Sequence, residues 1–152
     1  MLEALQNSWL AHTVNESQVI TASLSALHLI GFTLVMSSAV VTGLRMIGVT
    51  LLEVPIIDVI RPATRTMLIG LALSASTGFL LFVPRAAGAA ANPIFRAKLT
   101  LLVGALLLQF AVTRRVARCS AAHSAAQRSA GAFGLALWVG VALAGCAFIL
   151  WE

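Results

Sequence analysis

The sequence predicts an all-α integral membrane protein, a four-helix bundle with both termini on the extracytoplasmic side. Three observations carry that expectation. Of the 152 residues 60% are hydrophobic and only 10% are charged, whereas a soluble domain carries roughly 25% charged residues. So few charges cannot cover a water-facing surface. Apolar runs recur four times, separated by charged or Gly/Pro-bearing breaks. Lys and Arg are divided unevenly among those breaks, as a positive-inside bias requires.

The segment 1–18 lacks the basic start of a signal peptide and carries Glu3. Leu2, Leu5 and Trp9 recur at helical spacing, so it is read either as an interfacial segment or as a poorly ordered tail. The first span is expected at about 19–42, ending before Arg45, and the second at about 66–83, between Arg65 and Pro84-Arg85. The third, about 95–113, needs Lys98 to snorkel, because its strictly apolar part is only about 15 residues long and a span needs about 20. The fourth is expected at about 130–151. A free peptide group finds no partner in lipid, so each run should be a helix.

Loops one and three carry Arg45, Arg61, Arg65, Arg114, Arg115, Arg118 and Arg128; loop two carries Arg85, Arg96 and Lys98. The first set is assigned to the cytoplasm, giving a single multi-pass domain in a bacterial inner membrane. Trp9 and Trp151 would anchor at the outer interface, as would Trp138 if it is not too deep. "ANPIF" offers Asn92 as a cap and Pro93 as the first helical residue. "EVPIIDVIRP" reads as a short in-plane helix ended near Pro62, and "RAAGAAANP" as a plain turn. Gly70, Ser74 and Gly78 form a small-residue stripe suited to a bundle seam, as do Gly140 and Ala144. The two halves show no inverted repeat.

Several classes are disfavoured. The basic residues do not interleave with aromatics, so nucleic acid is not an expected partner. The lipid bilayer is, together with other membrane subunits or further copies of the chain. Cys119 and Cys146 show no CxxC spacing; Cys119 and His123, four apart, are too few to define a metal site. No nucleophile elbow, phosphate loop, HExxH or carboxylate pair occurs, and the spans hold no Asp or Glu. An enzyme with its own catalytic motif is not expected.

One ionisable ring stands out. His28 lies in "ALHLIGFTLVMSSAVVTG", roughly nine residues or about 14 Å below the outer end of its helix. At 100° per residue Met46 falls in line with it, Thr21 and Val35 within about 20°, Thr42 about 40° away and Ser25 about 60° away. Polar residues thus gather on the side of the ring, which should face the bundle interior. An ionisable group at that depth is a functional candidate by default. Thr77 and Gln109 are available partners. The readings that remain open are a structural hydrogen bond between helices, a heme or metal ligand, and a quinone or proton-relay contact. For heme the spans offer no second histidine, leaving Met36, Met46, Met67, water or a second subunit's His28.

The fragments "LHLIG", "LRMIG", "STGFLLF" and "NPIFRAKLTLL", with Trp138 central in the last helix, resemble a family of small uncharacterised bacterial four-helix membrane proteins. That family looks distantly like the membrane part of copper-resistance D proteins and, in architecture, like small b-type cytochromes. The resemblance spans about residues 27–151 and marks His28, Arg45, Gly78, Asn92, Pro93, Phe95 and Lys98. Where its pattern often has Gly-Arg in the last helix, this chain has Gly145-Cys146, so an arginine for a propionate or other anion is missing. The expected function is that of a small membrane subunit of a larger assembly, serving electron transfer with heme b or a quinone near His28, Arg45 and Met46. Copper handling by His28 and methionines, and a purely structural accessory role, are the alternatives.

Overall fold

The computed structural model describes residues 17–118 and 125–150, and every element among them is helical. These are α1 (Gln18–Ile47), α2 (Ile56–Phe82), a 3₁₀ turn (Val83–Arg85), α3 (Ala86–Ala91), α4 (Pro93–Arg118) and α5 (Ala125–Leu150). Four segments are long and apolar enough to cross a membrane: Gln18–Ile47, Ile56–Arg85, Pro93–Val116 and Ala125–Ala147. The expectations for the 1–16 tail, Cys119, His123 and Trp151 lie outside the described residues.

Local chemistry sets the helix ends. Ser17 caps α1, its hydroxyl accepting from the Ile20 N–H at 3.4 Å. Gly48 ends that helix in the left-handed region (φ 89°), and its N–H and that of Val49 both reach the Leu44 carbonyl. Only glycine takes that conformation without a Cβ penalty. Asn92 caps α4 as anticipated, with Oδ1 accepting from Ile94 N–H at 2.9 Å.

Two local expectations are corrected. "EVPIIDVIRP" is not a separate in-plane helix: α2 runs unbroken from Ile56 through Pro62 to Phe82. Pro62 removes the one N–H that would reach the Asp58 carbonyl. That loss falls in the second turn, beside exposed Asp58 and Arg61, while buried Val59 and Ile60 hold the turn against its neighbours. "RAAGAAANP" is not a plain turn either. Pro84 tightens the chain into a 3₁₀ turn, after which Ala86–Ala91 forms a short helix with Ala86 and Ala89 buried.

In the bundle α1 is central, packed against α2 on one side and α5 on the other; α4 packs on α5, and α2 and α4 barely meet. Phe82 and Phe95 bridge that last seam at one rim, stacked with ring centroids 5.4 Å apart. The core is Val35, Ala39, Met67, Ala105, Trp138 and Val141. Trp138, 1% exposed, is therefore a core residue and not an interface anchor. Its indole N–H has no hydrogen-bond partner among the described residues. Leu29, Ile30, Ile69, Phe79, Val103, Leu107, Phe133, Val139 and Leu143 point outward, a belt suited to hydrocarbon and not to water.

Glycines decide which seams close. A Cβ on Gly31 would stand 2.7 Å from the Ser74 nitrogen and 2.9 Å from the Gly70 carbonyl oxygen; one on Gly70 would stand 2.6 Å from the Gly31 oxygen. The Gly70/Ser74/Gly78 stripe is thus the α1–α2 seam, with backbone against backbone. On the α1–α5 seam Gly131 meets Met46 Cβ at 2.9 Å and the Gly43 oxygen at 3.1 Å. On the α4–α5 seam a Cβ on Gly140 would meet Leu101 Cδ1 at an ordinary 3.9 Å. Every buried residue of α1 lies between Gly31 and Met46, and no described side chain of α5 beyond Val141 is buried. The buried residues of α1 and α5 thus concentrate away from the His28 end, where Thr77 of α2 and Val83, Ala86 and Ala89 beyond it are the buried residues.

Candidate functional site

His28 projects from α1 onto α2 and lies directly over Gly78, where an added Cβ would come within 2.8 Å of ring Cε1 and 3.1 Å of Nδ1. Nδ1 is 2.8 Å from the Ser74 carbonyl oxygen, with the Ser74 and Thr77 hydroxyls at 3.3 Å. A carbonyl only accepts, so Nδ1 carries the proton. In the neutral ring the lone pair then sits on Nε2, for which no hydrogen bond is found among the described residues. The tautomer is fixed by a backbone group, an arrangement that also orients metal-ligating histidines.

Thr77 was anticipated as a partner and is one. Its hydroxyl also donates to the Leu73 carbonyl at 2.6 Å. The other polar residues gathered on the His28 side of α1 turn to their own backbone: Ser25 donates to the Thr21 carbonyl and Thr42 to the Ser38 carbonyl, both at 2.8 Å. Such i−4 bonds satisfy hydroxyls within an apolar span. Gln109 is not at the histidine. It lines a small recess of about 10 Å³ with Gly43, Met46 and Gly131, room for about one water and too little for a cofactor.

Arg45 and Met46 are not brought to His28. They lie 17 and 18 residues along the same helix, about 26 and 27 Å by helical rise. Arg45 is 3% exposed, and its guanidinium donates to the Val54 carbonyl at 2.8 Å, fastening the α1–α2 loop. Met46 packs against Gly131. Met36 is about 12 Å along the helix from the ring, and Met67 is enclosed in the core. No three of His, Cys, Asp and Glu converge among the described residues.

A second polar group, Lys98 of α4, rests against α5. Its Cε and Nζ lie 3.7 Å from where a Gly145 Cβ would be, so the bare Gly145 backbone makes the bed on which this side chain rests. The sequence marks Lys98 both as a snorkelling residue and as a position of the family resemblance, and lacks the arginine that the resemblance often carries at position 146. Glu53 and Asp58, the acidic residues of the described chain, are both at the Arg45 end. What the structure shows at His28 is an oriented imidazole lone pair on the α1–α2 seam.

No curated protein and no solved structure matches this chain. A model described as Family of unknown function (DUF6644) matches residues 2–150, and the chain belongs to that family.

Proposed function

We propose that the protein is a small multi-pass subunit of a larger membrane assembly that holds the head group of a redox cofactor, a quinone or a heme b, at His28. The observation that carries this reading is the Nδ1 bond to the Ser74 carbonyl, which leaves an oriented lone pair on Nε2 inside a span. A heme would supply one-electron exchange at its iron and would be held by His28 through Nε2, with Met36 and Met46 too far along α1 to join it. A quinone-type head needs no second ligand, and in its reduced form an O–H can donate to the Nε2 lone pair, which an oxidised carbonyl cannot. Copper handling, in keeping with the likeness to copper-resistance D proteins, is less well supported, because no methionine lies near the ring. The distribution of Lys and Arg supports a bacterial inner membrane with both termini outside.

The test is the absorption spectrum, metal content and solvent-extractable quinone of the detergent-purified protein. A stoichiometric quinone or a Soret band is expected, lost in His28→Ala while helical circular dichroism is retained. Protein free of heme, metal and quinone when isolated from quinone-replete membranes would overturn the reading. One observation favours a structural role instead: the ring fills the space over Gly78 and ties α1 to α2. In that case His28→Gln would change stability alone.

A further inference from the structure

We propose that the outward face of α2, with Arg65 on it, is an interface inside the membrane against a helix of a different protein that carries a carboxylate at the level of Arg65. This rests on the assembly part of the reading above, not on the cofactor at His28, and names the surface and the chemistry of the partner. The level of Arg65 follows from the core. Met67 packs in one cluster with Ala105 and Trp138. Ala105 lies at the middle of the apolar segment Pro93–Val116, and Trp138 close to the middle of Ala125–Ala147. Arg65 is two residues from Met67, about 3 Å of rise. Along its own apolar segment, Ile56–Arg85, it lies about 14 Å inside the near end. By both measures the residue stands within the span and not at its edge.

Arg65 also faces away from the bundle. Met67, Gly70 and Thr77 belong to the buried side of α2, which packs on α1. Arg61, Arg65, Leu68, Ala72 and Phe79 are exposed, and at 100° per residue they fall within about 60° of one another on the opposite side. Since α4 barely meets α2, the described chain leaves that side uncovered. No hydrogen bond or ion pair is found for Arg61 or Arg65 among the described residues. A guanidinium does not shed its proton, and hydrocarbon gives it no partner. Arg61, one turn nearer the rim, can snorkel; Arg65 is deeper than its three-methylene stem can span. An anion at the same depth is what satisfies it. Lipid phosphates stay in the head-group layer. A second copy of the chain does not fit either, because a twofold axis along the membrane normal brings Arg65 against Arg65. Asp58, the one acidic residue of the described spans, lies about 10 Å further along the helix. The complementary occupant is therefore a helix of another protein with Asp or Glu near its middle, paired with the guanidinium.

The experiment uses the full chain expressed in its own host, with a photo-crosslinking benzophenone amino acid in place of Ala72, and adducts are identified by mass spectrometry. The expected product is an adduct with a protein other than this chain that carries Asp or Glu inside an apolar span. In an Arg65→Leu background that adduct should fall about tenfold or more, whereas Arg65→Lys, which keeps the charge, should retain most of it. The amount of chain in the membrane shows that Arg65→Leu still folds. If it does not, exchange of the partner's carboxylate for an amide, against the unaltered Arg65, should give the same loss. Adducts with lipid alone, adducts with a second copy of this chain, a partner without an acidic residue in its spans, or an adduct unchanged by Arg65→Leu each overturn the proposal. Protein free of heme and quinone that still gives the adduct removes the His28 reading alone. Heme or quinone in protein that gives no protein adduct removes this inference alone.

Discussion

Gly70→Ala tests the α1–α2 seam on which the position of His28 depends. The new methyl would stand 2.6 Å from the Gly31 carbonyl oxygen and 2.7 Å from Leu34 Cβ, about 0.8 Å short of the 3.4 Å at which ordinary contact begins. The carbonyl is backbone and cannot rotate aside, so the helices must part by a comparable distance. A gap of 0.5–1 Å forfeits roughly a quarter to a half of each dispersion well along the seam, and overpacking costs about 1–3 kcal/mol. With backbone on both sides, the upper part of that range applies. Gly104→Ala is the control. A Cβ there meets nothing within 4 Å, and it should be neutral or gain about 0.5–1 kcal/mol from helix propensity. The two variants should therefore differ by roughly 2–4 kcal/mol in reversible unfolding from mixed micelles into sodium dodecyl sulfate, followed by circular dichroism. If Gly70→Ala lay within about 0.5 kcal/mol of wild type, the helices would not approach as described. The account of why His28 reaches Ser74 would then fail with it.

Other variants probe the rest of the bundle. His28→Phe keeps most of the volume over Gly78 but loses the Ser74 bond, and should cost about 0.6–2 kcal/mol in the same unfolding assay; a larger loss would mean that the ring makes further contacts. Arg45→Met removes the tie to the Val54 carbonyl, a charged hydrogen bond worth about 1.5–3 kcal/mol, and amide exchange should rise across residues 48–55 and not at His28. Trp138→Phe removes a buried indole N–H that has no partner, so it should cost well under the roughly 3–5 kcal/mol of Trp138→Ala. Comparable losses for those two would show that the N–H is satisfied. Gly131→Ala places a methyl 2.9 Å from Met46 Cβ and should cost about 1–3 kcal/mol, with a shift in Trp138 fluorescence as α5 moves off α1.

The spans were legible because lipid imposes a single rule: a long apolar run must close its hydrogen bonds within a helix. Their ends were less so. The first span was cut at Arg45 on the ground that a cation ends a hydrophobic run, yet the helix continues to Ile47 and buries the guanidinium. What the charge needed was the Val54 carbonyl, nine residues on and in a loop, and no local pattern encodes that partner. Pro62 misled in the opposite direction. Its cost is one bond, and near the end of a span that cost is borne by nearby polar groups. Glycine spacing fared better, because four-residue recurrence places small residues on one face, and a face without side chains is where backbones can meet.

The polar corner shows the same division more sharply. His28 and Thr77 could be paired from sequence, since each is a polar residue in an apolar run and unmade bonds in that setting are costly. The stronger contact is to the Ser74 carbonyl, which every residue type possesses and no sequence marks. Lys98 and Gly145 are 47 positions apart, and neither is unusual alone: one is a cation near a helix start, the other a small residue in a span. Their chemistry emerges only once α4 lies on α5. The argument from position 146 considered α5 alone. It looked for the cation on the helix where a related pattern carries it, whereas the field at a point depends on charge in space and not on which helix delivers it. The Lys98 ammonium resting over Gly145 brings a cation to the surface of α5 from the neighbouring helix α4.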